Sequence, residues 1–255
     1  MSEGIIKAAD DFWNIRGDFK IGGILNIGTQ CSLVRLHNDR FVLLDAYALS
    51  GDIKAAVDEA TDNGALLDAI INLHPFHTVH VEAAHAMYPK AKLFGTRRHV
   101  NKFPNLPWQN MLVDSEEFAA AYAEDFSFAI PAGVDFISSN ENLHFSSVLA
   151  YHKASRTIHV DDTLMYLPLP GLIGKLRAPK LSFHPTLFLT LEARSGAAAE
   201  FRAWAQQLAQ SCSDAENLCA AHSAAIVQGN NLSQQVLDAL GRVEKILRKH
   251  EKKFG

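Results

Sequence analysis

The chain has 255 residues, of which 48% are hydrophobic and 20% are charged, fractions typical of an ordinary globular domain. This composition excludes the disordered, collagen-like and coiled-coil classes of protein. The 24 lysines and arginines and the 28 aspartates and glutamates give a net charge of −4, so we expect no overall attraction to nucleic acid or to an anionic membrane.

The first half of the sequence alternates short apolar runs with turn and helix signals. Apolar residues recur at helical spacing over residues 53–60, and a second helix is predicted near residues 81–88. Short runs bounded by turn residues predict strands before, between and after these helices, at residues 24–27, 32–36, 41–44, 67–72 and 91–95.

The second half returns to strands before it ends in two helices. A short helix is predicted at residues 115–124 and strands at residues 134–137, 146–151 and 157–160. Residues 167–185 are rich in Leu, Pro and Gly and are predicted to form an ordered loop or lid. Helices are predicted at residues 197–210 and 232–250. Because no repeat or linker interrupts the chain, we expect a single domain over residues 1–255.

Three of the 12 histidines, His74, His77 and His80, lie together at the end of a predicted buried strand. Pro75 disfavours a helical conformation of His74, so a loop is expected where this strand ends. Such a loop can direct several imidazoles towards one point, and imidazole is the commonest metal ligand in proteins. We therefore interpret the cluster as a metal site. The alternative is a set of surface or hydrogen-bonded histidines.

Further candidate ligands lie near two later strands. His144 comes just before one predicted strand, and the paired carboxylates Asp161 and Asp162 follow the next. A carboxylate that bridges two cations, with imidazoles completing each shell, holds the metals about 3.5–4 Å apart. Taken alone, either aspartate could equally be a helix cap or a turn residue.

Taken in chain order, these segments resemble the metallo-β-lactamase-fold hydrolases, whose metal site is usually dinuclear. Residues 32–45 resemble the opening hairpin of the family, which ends in an aspartate that supports the metal site from behind; here this is Asp45. Residues 70–80 resemble the family segment with the motif H-x-H-x-D-H, and residues 143–151 resemble the segment with the motif G-H-T-x-G-S. Residues 159–164 resemble the family strand that ends in the bridging aspartate. The resemblance implies the α/β fold class and an αββα four-layer sandwich.

The resemblance also implies a set of metal ligands: His74, His77, His80, His144, Asp162 and His222. His74 matches the motif only if Phe76 is treated as a one-residue insertion, and without that gap the first ligand position is Pro75. In this alignment the more complete shell is formed by His77, His144 and Asp162, and His74 can join it. His80, Asp162 and His222 form a poorer second shell.

The sequence departs from the family pattern at the second metal position. Val79 occupies the place of the motif aspartate, which in the family binds the second metal and helps to position the attacking hydroxide. Valine has no donor atom for a cation. The family glycines next to His144 and His222 are replaced by Leu143 and Ser223. These changes predict a weaker second site and are consistent with a single metal.

The resemblance implies a hydrolase that uses a metal-activated water on an ester, thioester, amide or phosphate-type bond. A bound cation lowers the pKa of its water from 15.7 to about 7. The implied catalytic residues are Asp162 and His184; His184 lies in the predicted covering loop, where it could contact the substrate or donate a proton. We expect zinc, as one or two ions, and iron or manganese would accept the same ligands.

A degenerate, non-catalytic member of the same fold that binds a metal or another ligand is the alternative, and Val79 is its best support. An open water position on the metal would favour the enzyme, whereas a closed four-ligand shell would favour the binding protein. In the first case we expect a small-molecule substrate. The sequence leaves the oligomeric state open.

The expected location is the cytoplasm. The three cysteines form no Cys-x-x-Cys pair and are too few for a disulfide framework, which indicates reduced thiols. The N-terminal residues lack the pattern of a signal peptide, and no apolar run approaches the roughly 18 residues of a membrane helix. We therefore expect neither a membrane nor a nucleic acid as a partner.

Overall fold

Two β-sheets, each built mainly from one half of the chain, form the centre of the molecule. The computed structural model describes residues 4–18, 20–21, 25–26, 28–167, 180–221, 225–226, 229 and 231–255. The first half contains, in chain order, β1 (Ile5–Ala9), β2 (Phe12–Gly17), β3 (Lys20–Ile21), β4 (Leu25–Asn26), β5 (Thr29–Arg35), β6 (Phe41–Leu44), α1 (Gly51–Ala60), β7 (Leu67–Ile71), α2 (Val81–Met87), β8 (Lys92–Phe94), α3 (Arg97–Lys102) and α4 (Glu116–Ala121). The second half contains β9 (Phe126–Ala129), β10 (Leu149–His152), β11 (Thr157–Val160), β12 (Leu164–Leu167), β13 (Lys180–Phe183), α5 (Leu187–Thr190), α6 (Ala197–Ser211), β14 (Asn217–Ala220), β15 (Ala225–Ile226) and α7 (Leu232–Phe254).

The first sheet has six strands in the order β1-β2-β5-β6-β7-β8. Its first four strands form an antiparallel meander. Strands β6, β7 and β8 are parallel, because helix α1 carries the chain from β6 to β7 and helix α2 carries it from β7 to β8. Parallel strands end at the same edge of a sheet, so the loops after β6 and β7 lie side by side.

The second sheet has five strands in the order β15-β14-β11-β10-β9. Strands β10 and β11 form an antiparallel hairpin, and β11 pairs in parallel with β14 after the chain has passed through helix α6. The loop after β11 therefore lies at the same edge as the segment that enters β10.

Apolar side chains on both faces of each sheet produce four layers. In β7, Ile70 packs with residues of α1 and α2, whereas Ile71 packs between the two sheets. In β14, Leu218 packs with residues of α6 and α7, whereas Cys219 faces the first sheet. Successive strand residues thus bury opposite faces, as a strand covered on both sides requires. The result is the αββα sandwich that the sequence predicts.

A polar seam joins the two sheets at one edge. Gln30 on β5 donates from Nε2 to the carbonyl of Val160 at 2.9 Å. Arg16 on β2 donates from a guanidinium nitrogen to the carbonyl of Ala220 at 2.7 Å. Because a buried polar group without a partner costs about 1–3 kcal/mol, these bonds favour one relative position of the sheets at the edge where β11 and β14 end.

The structure corrects two predictions of local structure. The strand predicted at residues 134–137 is wrong: Val134 forms only an isolated bridge to Leu191, because Gly133 before it has a left-handed φ of 71° that turns the chain. The predicted loop at residues 167–185 is wrong at its ends, because β12 and β13 pair as an antiparallel hairpin there. Residues 168–179 lie outside the described part of the chain.

The strand predicted at residues 24–27 falls partly outside the described residues, and its described portion is the two-residue strand β4. Within the described ranges, no helix is both long and apolar enough to cross a membrane.

Candidate metal centre

Three loops meet at the edge where the strands end. Asp45 follows β6, residues 72–80 follow β7, and Asp161 and Asp162 follow β11. Asp45 has a left-handed φ of 62°, and its Oδ1 accepts a hydrogen bond from the backbone N–H of Leu73 at 2.8 Å. This bond fixes the end of β6 against the start of the histidine loop. Sites form at such edges because several loops can direct side chains into one space.

Asp162 lies at the centre of a group of imidazoles. Its Oδ2 is 3.2 Å from Nε2 of His74, 3.5 Å from Nε2 of His77 and 3.9 Å from Nδ1 of His144. Asp162 and His74 are buried, whereas the His77 side chain is 25% exposed and the His144 side chain is 41% exposed. The site is therefore closed on the protein side and open on the side of His77 and His144.

These distances fit a divalent cation such as zinc. Ligand atoms about 2.0–2.1 Å from a tetrahedral zinc ion lie about 3.3 Å from one another. The ligand atoms of His74, His77 and Asp162 all lie within 4.8 Å of one another. In addition, Nε2 of His74 is buried and lies 3.2 Å from Oδ2 of Asp162, a separation that two ligands of one zinc ion would also have.

The imidazoles differ in how well they are oriented for this role. A neutral imidazole that binds a metal through one nitrogen carries its proton on the other. His144 Nε2 lies 2.8 Å from the carbonyl of Glu141, so the ring donates its Nε2 proton there and leaves Nδ1 free towards Asp162. In contrast, Nδ1 of His74 accepts from the N–H of Phe76 at 3.1 Å, so metal binding through Nε2 requires this N–H to turn away. His74, which matches the motif only with an insertion, is thus less well oriented for metal binding than His144.

The charged groups around the site carry a net negative charge. Burial and the charge of His77 lower the pKa of His74 to about 4, so His74 is neutral at pH 7, as a ligand must be. Burial opposes protonation of His77, but the carboxylates of Asp161 and Asp162 raise its pKa to about 9, so the metal-free His77 is protonated at pH 7 and would release this proton on binding a metal. Burial and the nearby Asp45 carboxylate raise the pKa of Asp161. A further cation would balance these carboxylates, because buried charges are stable only when paired or bound to a metal.

A second polar group supports the site from behind. Asp45, His159 and Asp161 have ligand atoms within 4.8 Å of one another, and all three are buried. His159 Nε2 lies 2.8 Å from Oδ2 of Asp45, and its Nδ1 lies 2.9 Å from Oγ of Ser32. This order of Ser, His and Asp is that of a serine hydrolase triad, but Ser32 is fully buried and cannot meet a substrate. The group is therefore a structural support.

No motif in the sequence assigns a role to His159. A signal was present in the alternation of β11: Thr157 and His159 lie on one face of the strand, and Ile158 and Val160 pack on the other face against the helices. A polar residue on the face between two sheets needs a buried partner, and the partner here is Asp45.

His80 lies beside the group that surrounds Asp162. It is the residue before helix α2, its ring packs edge-on against Tyr47 at 5.1 Å, and its Nε2 is buried without a hydrogen-bond partner among the described residues. Val79 next to it is 68% exposed. His222, the other predicted ligand of a second metal, lies outside the described residues. The role of both histidines as ligands stays a prediction.

His184, the predicted proton donor, is held within its own turn. Its Nδ1 accepts from the N–H of Thr186 at 3.2 Å and lies 2.7 Å from Oγ1 of the same residue. Oγ1 of Thr186 is in turn 3.2 Å from the carbonyl of His144. The structure thus places His184 near the His144 segment, and its catalytic role stays a prediction.

A small cavity opens in front of the imidazoles. It has a volume of about 150 Å³. Its wall is formed on the polar side by Asp45, His77, His80 and His144, and on the apolar side by Ala46, Phe76 and Val79. A cavity with an apolar wall and convergent polar groups is typical of a small-molecule site.

Comparison with protein-family models finds no match, and no curated protein sequence matches the chain. Solved structures do match. A metallo-β-lactamase from Erythrobacter litoralis, with β-mercaptoethanol in its active site, has a TM-score of 0.59 and 13% identity over 93% of this chain and 96% of its own. A metallo-β-lactamase from Hirschia baltica has a TM-score of 0.58 and 13% identity over 94% of this chain and 96% of its own. One from Pontibacter korlensis has a TM-score of 0.54 and 11% identity over 93% of this chain and 98% of its own.

The strand order, the four layers and these similarities define the class: the chain has the metallo-β-lactamase fold. It is a divergent member of that fold, because the similarity covers nearly the whole chain at an identity of only 11–13%. At such identity the comparison establishes the fold, and the function has to be argued from the site.

Proposed function

We propose that the protein is a metal-dependent hydrolase that acts on a small molecule with an ester, thioester, amide or phosphate-type bond. The observation that carries the proposal is the approach of three imidazole nitrogens to within 3.2–3.9 Å of one carboxylate oxygen, Oδ2 of Asp162. His77, His144 and Asp162 would hold the principal metal, with His74 as a fourth ligand once the Phe76 N–H has turned away. Zinc is our first choice, and iron or manganese suit the same donors.

The residues of this chain would divide the work between binding and orientation. When bound, the cation would supply a Lewis acid and a water of lowered pKa. His144 is held by the Glu141 carbonyl with Nδ1 towards Asp162, and Asp45 holds the histidine loop through Leu73. The apolar wall of Ala46, Phe76 and Val79 would exclude water around the bound substrate. The volume of about 150 Å³ supports a small substrate rather than a nucleic acid.

All three cysteines are free and buried, which supports a reducing compartment, and we propose the cytoplasm.

Turnover tests the proposed activity. Protein reconstituted with zinc, iron or manganese and assayed on chromogenic acetyl ester, thioester, anilide and phosphate substrates is expected to hydrolyse at least one class, and to stop when a chelator removes the metal. A protein that binds metal and turns over none of these substrates would instead support a non-catalytic metal-binding protein. A fully chelator-resistant activity would contradict the proposed role of the metal.

The replacement of the motif aspartate by Val79 predicts a single principal metal. Val79→Asp is expected to raise zinc content from about one towards two ions per chain, because a carboxylate would then stand beside His80 at the edge of the cavity. Val79 is 68% exposed, so the change should alter the free energy of unfolding by no more than about 0.5 kcal/mol. Val79→Asn, which adds a similar shape without the charge, is the matched control. Equal zinc content in wild type and both variants would show that this loop does not form a second site.

A further inference from the structure

Helix α3 contacts the histidine loop at three points, although none of its residues is a candidate ligand. His99 directs Nε2 towards the carbonyl of His77 at 3.5 Å. Lys102 donates from Nζ to Oγ1 of Thr78 at 2.7 Å. The Arg98 guanidinium lies over the ring of Phe76, 4.6 Å from its centre. One short helix therefore fixes the loop that carries His77.

Arg98 also reaches His144, by two separate routes. The Phe76 ring beneath the guanidinium stacks on the His144 ring, with the ring centres 4.9 Å apart and the planes inclined by 14°. In addition, Arg98 donates to Oε1 of Glu141 at 2.8 Å, and the carbonyl of Glu141 accepts from Nε2 of His144 at 2.8 Å. Arg98 thus supports the face of the His144 ring through Phe76. It also supports the hydrogen bond that the His144 Nε2–H donates, through Glu141.

His144 depends on such support because its surroundings are irregular. Residues 130–148 contain no helix or extended strand, and the His144 side chain is 41% exposed. An exposed imidazole in an irregular segment would otherwise populate several rotamers and both neutral tautomers. The metal-binding form needs a single one, with the proton on Nε2 and Nδ1 towards Asp162.

We propose that Arg98 is a positioning residue that holds the His144 imidazole in the rotamer and tautomer needed for metal binding. The inference rests on the proposed function for the role of His144, but the tautomer is a property of the metal-free protein and can be measured without a metal. Loss of a group that orients a metal ligand reduces metal affinity by about 10–100-fold.

The test compares Arg98→Leu with Arg97→Leu, which removes the same charge from an exposed position on the same helix. Nitrogen-15 NMR of the metal-free wild type should show His144 as the Nε2–H tautomer, and Arg98→Leu should show a mixture of tautomers. Zinc titration should show an affinity about 10–100-fold weaker for Arg98→Leu. Arg97→Leu should match the wild type in both measurements. Arg98→Lys, which can keep the ion pair with Glu141 but not the planar stacking on Phe76, should restore part of the loss.

Glu141→Gln provides a second variant that leaves helix α3 intact. Glu141 lies outside this helix, and its side chain is 70% exposed. This variant should shift the tautomer and the affinity in the same direction by a smaller amount. The proposal is overturned if Arg98→Leu keeps both the His144 tautomer and the zinc affinity of wild type. If the wild type binds no zinc, the proposed function fails, and the NMR comparison of the metal-free proteins still decides the role of Arg98.

Discussion

Asp162→Ala is expected to abolish tight metal binding and, with it, hydrolytic activity. Asp162 Oδ2 is the atom that His74, His77 and His144 approach, so its loss removes the centre of the ligand group as well as one ligand. The zinc affinity should fall by more than about 100-fold, beyond the effect of losing an outer-shell partner. The metal-free variant should still fold, because the substitution removes one of several buried carboxylates that repel one another. Zinc titration followed by an activity assay measures both effects.

His152→Ala is the control for this prediction. His152 is a buried histidine at the far end of β10, where it hydrogen-bonds Ser155 and packs against Phe12 and Phe126. Its loss should lower stability without changing metal content. If Asp162→Ala and His152→Ala hold the same amount of zinc, Asp162 is not a ligand.

Asp45→Ala is expected to lower the free energy of unfolding by about 2–6 kcal/mol, because it leaves two buried hydrogen-bonding groups without a partner at about 1–3 kcal/mol each. Burial by itself would raise the pKa of Asp45, but the hydrogen bond and charge of His159 lower it, so Asp45 is ionised. Its two oxygens accept from the N–H of Leu73 and meet Nε2 of His159. Alanine leaves both groups buried without a partner. Urea unfolding of the metal-free protein measures the loss.

The matched control is Asp45→Asn, which keeps the shape and one acceptor for the Leu73 N–H. Its amide can pair with His159 if that ring changes tautomer and donates to Ser32. The expected loss is therefore about 1–2 kcal/mol, the range of a hydrogen bond weakened rather than removed. Losses below 1 kcal/mol for both variants would show that the group behind the site does not stabilise the fold.

The regular helices and strands of the fold were predictable because their buried residues recur at the spacing that is typical of each kind of element. Helix α6 buries Phe201, Ala205 and Leu208 on one stripe, and β11 is buried along its whole length between the layers. The N-terminal hairpin of β1 and β2 was missed because β1 is an edge strand whose residues are half-buried or exposed, so no alternation marks it. The hairpin of β12 and β13 was missed because its two strands are separated by residues 168–179.

The residues of the candidate site could be predicted from the sequence, but the contacts that hold them in place could not. The order of the motifs predicted that His77, His144 and Asp162 belong together, and the structure brings their side chains to one point. Helix α3 has six residues, too few for a hydrophobic period, and its contacts with the histidine loop are made only through tertiary packing. The stacking of Arg98 and His144 on Phe76 arises in the same way.

The most direct test of the proposed metal centre is the metal content per chain, measured by elemental analysis of protein purified without a metal-affinity tag or chelator, followed by an anomalous-scattering map of its crystals. We predict about one tightly held ion, about 2.0–2.2 Å from nitrogens of His77 and His144 and an oxygen of Asp162. No metal after reconstitution with zinc, iron and manganese, or an ion bound elsewhere, would contradict the assignment of this edge of the sandwich as a metal site.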